Sequence, residues 1–140
     1  MSALAELSPP EALVCTMVLV AAADGGMTDR EIGVMSAQVQ SLPVFRDFTS
    51  AGLATASDTA VRLLNETSGL AHAARLIRAA LGPNLRETAY ALACEVAAAD
   101  PGEQPETRRM LELAQEELRL DPLIAAAIER GVRARYQTSG

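Results

Sequence analysis

Val20-Ala21-Ala22-Ala23-Asp24-Gly25 is the phrase that decides the fold, because the chain says it twice: Val96-Ala97-Ala98-Ala99-Asp100-Pro101-Gly102 repeats it in the second half. The offset that carries Asp24 onto Asp100 also carries Glu11 onto Glu87. Each phrase closes an apolar run with a carboxylate and a turn, and each is soon followed by a glutamate, Glu31 or Glu106. Both copies read as a core helix, an acidic turn and a second, amphipathic helix. Two copies are too few for a solenoid, so the repeat predicts one compact domain over residues 1–140 with pseudo-twofold character. Its halves are residues 8–42 and 83–119.

Ahead of the first phrase, Ser8-Pro9-Pro10-Glu11 is a helix start, with Ser8 as N-cap, Pro9 at the first helical position and Glu11 closing a capping box. From Pro9 to about Ala23, Thr16 is the only polar residue after Glu11. A helix with no polar face belongs at the centre of a core. Asp24-Gly25-Gly26 ends it. Thr28-Asp29-Arg30-Glu31 is a second capping box, opening a helix to about Ser41 whose stripe is Ile32, Met35, Val39 and Leu42. Pro43 stops that helix, and Phe45 and Phe48 plug one end of the core. Helices are expected over Leu53 to Asn65, with an interruption near Ser57-Asp58, and over Leu70 to Leu81, with Leu70, Ala73, Ala74, Ile77 and Leu81 inward and Arg75 and Arg78 outward.

After the Gly82-Pro83 boundary, the second central helix runs from about Asn84 to Ala99, with Glu95 the only charge from Ala89 onward. Glu95 sits at the edge of the buried surface, or pairs with an Arg, or faces the acidic turns. Pro101 disfavours helical geometry at Asp100. Pro105 opens a helix to about Leu118 that buries Met110, Leu111, Leu113 and Ala114 and exposes Arg108, Arg109, Glu112 and Glu116. Asp121-Pro122 caps a last helix to about Tyr136 on Leu123, Ile124, Ala127, Ile128 and Val132, where Arg130, Arg133 and Arg135 favour the negative end of the helix dipole. No segment alternates like a strand. The fold class is therefore all-α, a single domain of about seven helices.

Composition narrows the function. At 140 residues, 49% hydrophobic, 21% charged and 3% aromatic, the chain can bury one aliphatic core with closely spaced helices. A net charge of −6 argues against binding nucleic acid or an anionic membrane unaided. Cys15 and Cys94 lie inside apolar runs and read as small hydrophobes. The apolar run from Ala12 to Ala23 lacks a preceding basic segment and is too short to span a bilayer, so the chain reads as cytoplasmic. His72 stands among alanines without a Cys, Asp or Glu partner, and no phosphate loop or nucleophile elbow is present, so no enzymatic activity is expected.

An apolar helix ending in Ala23-Asp24-Gly25, followed by Met27 and Glu31 and echoed by Ala99-Asp100 and Glu106, resembles the TerB-like tellurite-resistance family over about Glu11 to Val132. The resemblance implies an all-helical bacterial domain associated with tellurite and other stress responses. It also implies acidic residues that hold a divalent cation such as calcium, here Asp24, Glu31, Asp100 and Glu106. The second half departs from the pattern, with Pro101 after Asp100 and Glu106 one residue early. On chemistry alone, carboxylates beside a helix C-terminus suit a hard cation. Capping explains Glu31 and Asp24 equally well, and the spacing is not that of an EF-hand. The competing expectation is a non-catalytic adaptor that binds other proteins or a second copy of itself, without metal.

Overall fold

A computed structural model of the chain describes residues 6–100 and 104–139, which leaves the expected Pro101-Gly102 turn outside the described residues. Within them lie seven α-helices and no strand, as expected. Helix α1 (Pro9–Ala21) starts on the expected capping box: Ser8 N–H donates to Glu11 Oε1 at 2.8 Å, and Glu11 N–H to Ser8 Oγ at 3.3 Å. All of Ala12 to Ala21 is buried, and Thr16 satisfies its hydroxyl by donating to Ala12 O at 2.8 Å. The helix stops two residues short of Ala23, because the N–H of Ala23 turns back to Val20 O and Gly25 takes a φ of +119°. That left-handed conformation is open to glycine at little cost.

Helix α2 (Asp29–Ser41) starts on the second capping box and buries Glu31, Met35 and Val39. This corrects the expected stripe: Ile32 is 45% exposed, while Glu31 is only 3% exposed. Spacing of four residues puts positions 31, 35 and 39 on one face and rotates position 32 off it. A 3₁₀ turn (Pro43–Phe45) then buries Phe45, whose ring lies 5.7 Å from that of Phe48. Helix α3 (Ser50–Leu64) begins earlier than expected because the Thr49 side chain accepts from Gly52 N–H at 2.9 Å, and it passes Ser57-Asp58 without a break. Helix α4 (Gly69–Ala80) begins where Ser68 adopts a φ of +57° and Gly69 presses against α3, so closely that a Cβ there would lie 1.9 Å from Leu63 O. Leu76, with Ala73 and Ile77, forms its inner face, and Leu70 lies at the rim, 36% exposed beside Leu19 and Met110.

Helix α5 (Pro83–Ala97) packs against α1 more extensively than any other pair of elements does. Helices α3 and α4 cover other sides of α1, α2 and α7 cover α5, and α6 touches both central helices. Arg86 donates to Leu81 O and Arg78 O, each at 2.9 Å, closing the C-terminal end of α4 where partial negative charge collects. Helix α6 (Pro105–Glu117) lies shallower than expected: Met110, Leu111, Leu113 and Ala114 are half-buried. Arg78 ties α4 to α6 by donating to Glu117 Oε1 at 2.7 Å.

Helix α7 (Pro122–Arg135) is capped by Asp121, which accepts from Leu123 N–H at 2.8 Å. Its inner face is rotated from the expected one: Ala125 and Val132 are buried, while Leu123 is 81% exposed and Ile124 and Ala127 are exposed. The pull comes from polar anchors facing α5. Tyr136 Oη donates to Glu95 Oε1 at 2.8 Å, and Arg135 pairs with Glu95 Oε2 at 3.0 Å. Glu95, 8% exposed, thus lies at the edge of the buried surface and also pairs with an Arg, and it does not line the cavity that Asp24 and Asp100 face.

Candidate functional site

The first turn is built around Thr28. Its hydroxyl accepts from Glu31 N–H at 3.1 Å, while Glu31 Oε1 accepts from Thr28 N–H at 2.8 Å. The same hydroxyl donates to Asp100 Oδ2 at 3.0 Å, so one side chain joins the turn after α1 to the turn after α5. Asp24, Glu31 and Asp100 consequently face one open cavity of about 510 Å³. Burial raises the Glu31 carboxyl above its ordinary value. Hydrogen bonding from Thr28 opposes that rise, and the like charges of Asp100 and Asp24 add to it.

Glu106 lies elsewhere. It is exposed on the first turn of α6 and borders a separate depression with Ala23, Arg109 and Met110. The expected second corner of Asp100 with Glu106 is therefore split, and Asp100 joins the first corner instead. His72 also departs from expectation: its Nδ1 lies 3.2 Å from Glu66 Oε1, on the exposed surface between α3 and α4. Sequence spacing hid that pair because Glu66 belongs to the turn before α4.

The rest of the cavity was not anticipated. Helix α5 forms its floor with Tyr90, Cys94, Ala97 and Ala98. Tyr90 is buried, and its hydroxyl donates to Glu129 Oε2 of α7. Burial and the hydrogen bond to Glu129 hold the Tyr90 proton well above the usual tyrosine range. Burial, with the nearby Glu129 charge, pushes the Cys94 thiol up to about 12, and burial alone pushes Cys15 to about 12. Both thiols are thus inert hydrophobes near neutral pH, as their apolar surroundings in the sequence implied.

A model of the family described as tellurite resistance protein TerB matches residues 10–130. The chain belongs to the TerB family. The match spans both acidic turns and all seven helices in whole or in large part. No curated protein and no solved structure matches this TerB-family chain. No helix among its described residues is long and apolar enough to cross a membrane.

The cation expected of the corner can be judged from its donors. Carboxylate oxygens are the right chemistry for a hard divalent ion. Yet among the described residues no three Asp, Glu, His or Cys side chains stand close enough together to hold one, and Glu31 already spends an oxygen on Thr28. The corner therefore does not form the closed cage of six to eight oxygens that Ca²⁺ takes.

Proposed function

We propose that this TerB-family chain is a non-catalytic bacterial stress-response module of the tellurite-resistance type, and that its acidic corner responds to divalent cations. The observation that carries this reading is the Thr28–Asp100 hydrogen bond, which turns two sequence-distant acidic turns into one. Within the corner of Asp24, Glu31 and Asp100, one or two carboxylates would contact an ion that keeps most of its water, as Mg²⁺ does, with Glu106 left outside. A bound cation relieves repulsion among the carboxylates, so the two turns are tied together more firmly when it is present. The chain's own contribution is positioning: the capping box fixes Glu31 inward, and Thr28 fixes Asp100 beside it. Calorimetric titration with Ca²⁺, Mg²⁺ and Mn²⁺ tests this. Saturable heat that is lost in Asp24→Asn with Glu31→Gln supports the reading, and no heat from any of the three refutes it.

The adaptor reading is favoured by a different observation. Leu123 and Ile124 stand exposed side by side at the start of α7. Such a pair is suited to another protein or a second copy of the chain. Light scattering of the wild type and of Leu123→Glu with Ile124→Glu distinguishes a homodimer, which the double variant dissociates, from a monomer.

A further inference from the structure

Helix α7 hangs on a single neighbour. It packs on α5 and makes little contact with any other described element. Of its residues only Ala125 and Val132 are buried. Its seat is nevertheless specific, because polar bonds cross in both directions. Tyr90 of α5 donates to Glu129 of α7, while Glu95 of α5 accepts from Tyr136 and pairs with Arg135. Any copy of α7 that reaches an α5 surface can make these same bonds.

The connection that brings α7 home is short and strained. Only residues 118–121 carry the chain from α6 to α7. They close α6 with Arg119 N–H donating to Glu116 O at 3.0 Å and Leu120 N–H to Gln115 O at 3.2 Å. That pair of bonds needs a left-handed residue just past the helix, a position where glycine is the usual choice. Here it is Arg119, at a φ of +57° with its side chain exposed. A Cβ disfavours that conformation, so the closed hinge stores strain at one residue. On the far side of the hinge, Pro122 keeps Asp121 extended, with a ψ of 129°.

We infer that two copies of this chain exchange α7, each seating its own α7 on the α5 of the other. A short hinge under strain invites such exchange. The open form lets Arg119 leave the left-handed region in both copies, while every α5–α7 bond is made again across the dimer. Leu123 and Ile124, exposed beside the hinge, lie where the two hinges pass each other and are covered there. The inference rests on the homodimer reading and gives that dimer its geometry. What holds the pair together is then the α5–α7 seat and not the Leu123–Ile124 patch alone.

The test uses the absence of lysine from the sequence. Arg135→Lys introduces the only lysine, beside Glu95. Carbodiimide coupling then joins position 135 to Glu95 within one chain if α7 stays home, and between chains if it is exchanged. The full chain is concentrated to the millimolar range, its dimer is isolated by size, coupled, and run on a denaturing gel. Wild type treated in the same way controls for coupling through the N-terminal amine. Light scattering of hinge variants supplies a second readout. Arg119→Gly relieves the closed hinge and should raise the dimer dissociation constant at least ~10-fold, whereas Arg119→Val, branched and least suited to a positive φ, should lower it. A covalent dimer on the gel, with the two hinge variants moving in opposite directions, is the expected result. A dimer that couples only within chains, or one that Arg119→Gly leaves unchanged, would overturn the exchange and leave the homodimer reading standing. A chain that stays monomeric at millimolar concentration, Arg119→Val included, would overturn both.

Discussion

Replacing Thr28 by Val removes a single hydroxyl and, with it, both ends of the link between the two acidic turns. Two bonds are lost, the cap to Glu31 N–H and the donation to Asp100 Oδ2. An N-cap is worth about 1 kcal/mol. The bond to Asp100 is charge-assisted but exposed, so it is given about 0.5 kcal/mol, well below its buried value. The Glu31 side chain still accepts from the residue-28 N–H, which limits further fraying of α2. The expected loss is therefore about 1.5 kcal/mol, which lowers the urea midpoint by roughly 0.5–1 M at an unchanged m-value. Thr28→Ser, which keeps the hydroxyl, should lose no more than a few tenths of a kcal/mol. A double-mutant cycle of Thr28→Val with Asp100→Ala should return a coupling of about 0.5 kcal/mol, since the pair touches directly. If Thr28→Val behaved like Thr28→Ser, or the cycle returned zero, the bridge between the turns would not exist in solution.

Gly69→Ala should cost at least about 2 kcal/mol in thermal or urea unfolding, because its Cβ would meet the Leu63 backbone oxygen at 1.9 Å and backbone cannot step aside as a side chain can. Tyr136→Phe should cost about 1 kcal/mol by leaving the nearly buried Glu95 carboxylate with Arg135 alone, and hydrogen exchange should rise first at the end of α7. Glu31 titrates above its unfolded value of 4.5, so the folded state holds that proton more tightly. Its contribution is then fully present below 4.5 and is lost as pH rises through the raised folded value. Denaturation curves should accordingly show wild type gaining stability relative to Glu31→Gln as pH falls from 7 toward 4.5.

What the sequence disclosed is what local rules control. Ser8, Thr28 and Asp121 cap where their side chains suggested, because an N-cap is settled within three residues. The pairing of α1 with α5 was legible because Ala12 to Ala21 leaves no face for water. Orientation was harder. Leu123 and Ile124 look like a buried face by hydrophobicity, but the rotation of α7 is set by Tyr136, Arg135 and Glu129 meeting Glu95 and Tyr90 some forty positions away. Composition carries no trace of such distant pairs. The same holds for the site. Asp24 and Glu31 stand out as a turn, and Asp100 as its echo, but only tertiary packing separates Glu106 from them and adds Glu112 and Glu129. The one local hint was Tyr90, one of only two tyrosines, set among alanines in a helix expected to be buried. A phenol there needs a partner.

A thermal melt tests most directly whether the two acidic turns form one cation-responsive corner. Wild type and Asp24→Asn with Glu31→Gln are melted with and without Ca²⁺ or Mg²⁺ at about ten times the calorimetric Kd, a concentration that adds about 1.4 kcal/mol by mass action. For a chain of this size that corresponds to a rise in Tm of roughly 3–6 °C. Wild type should show this rise and the variant none. An unmoved wild type, or an equal rise in both proteins, would mean that the corner does not bind the cation.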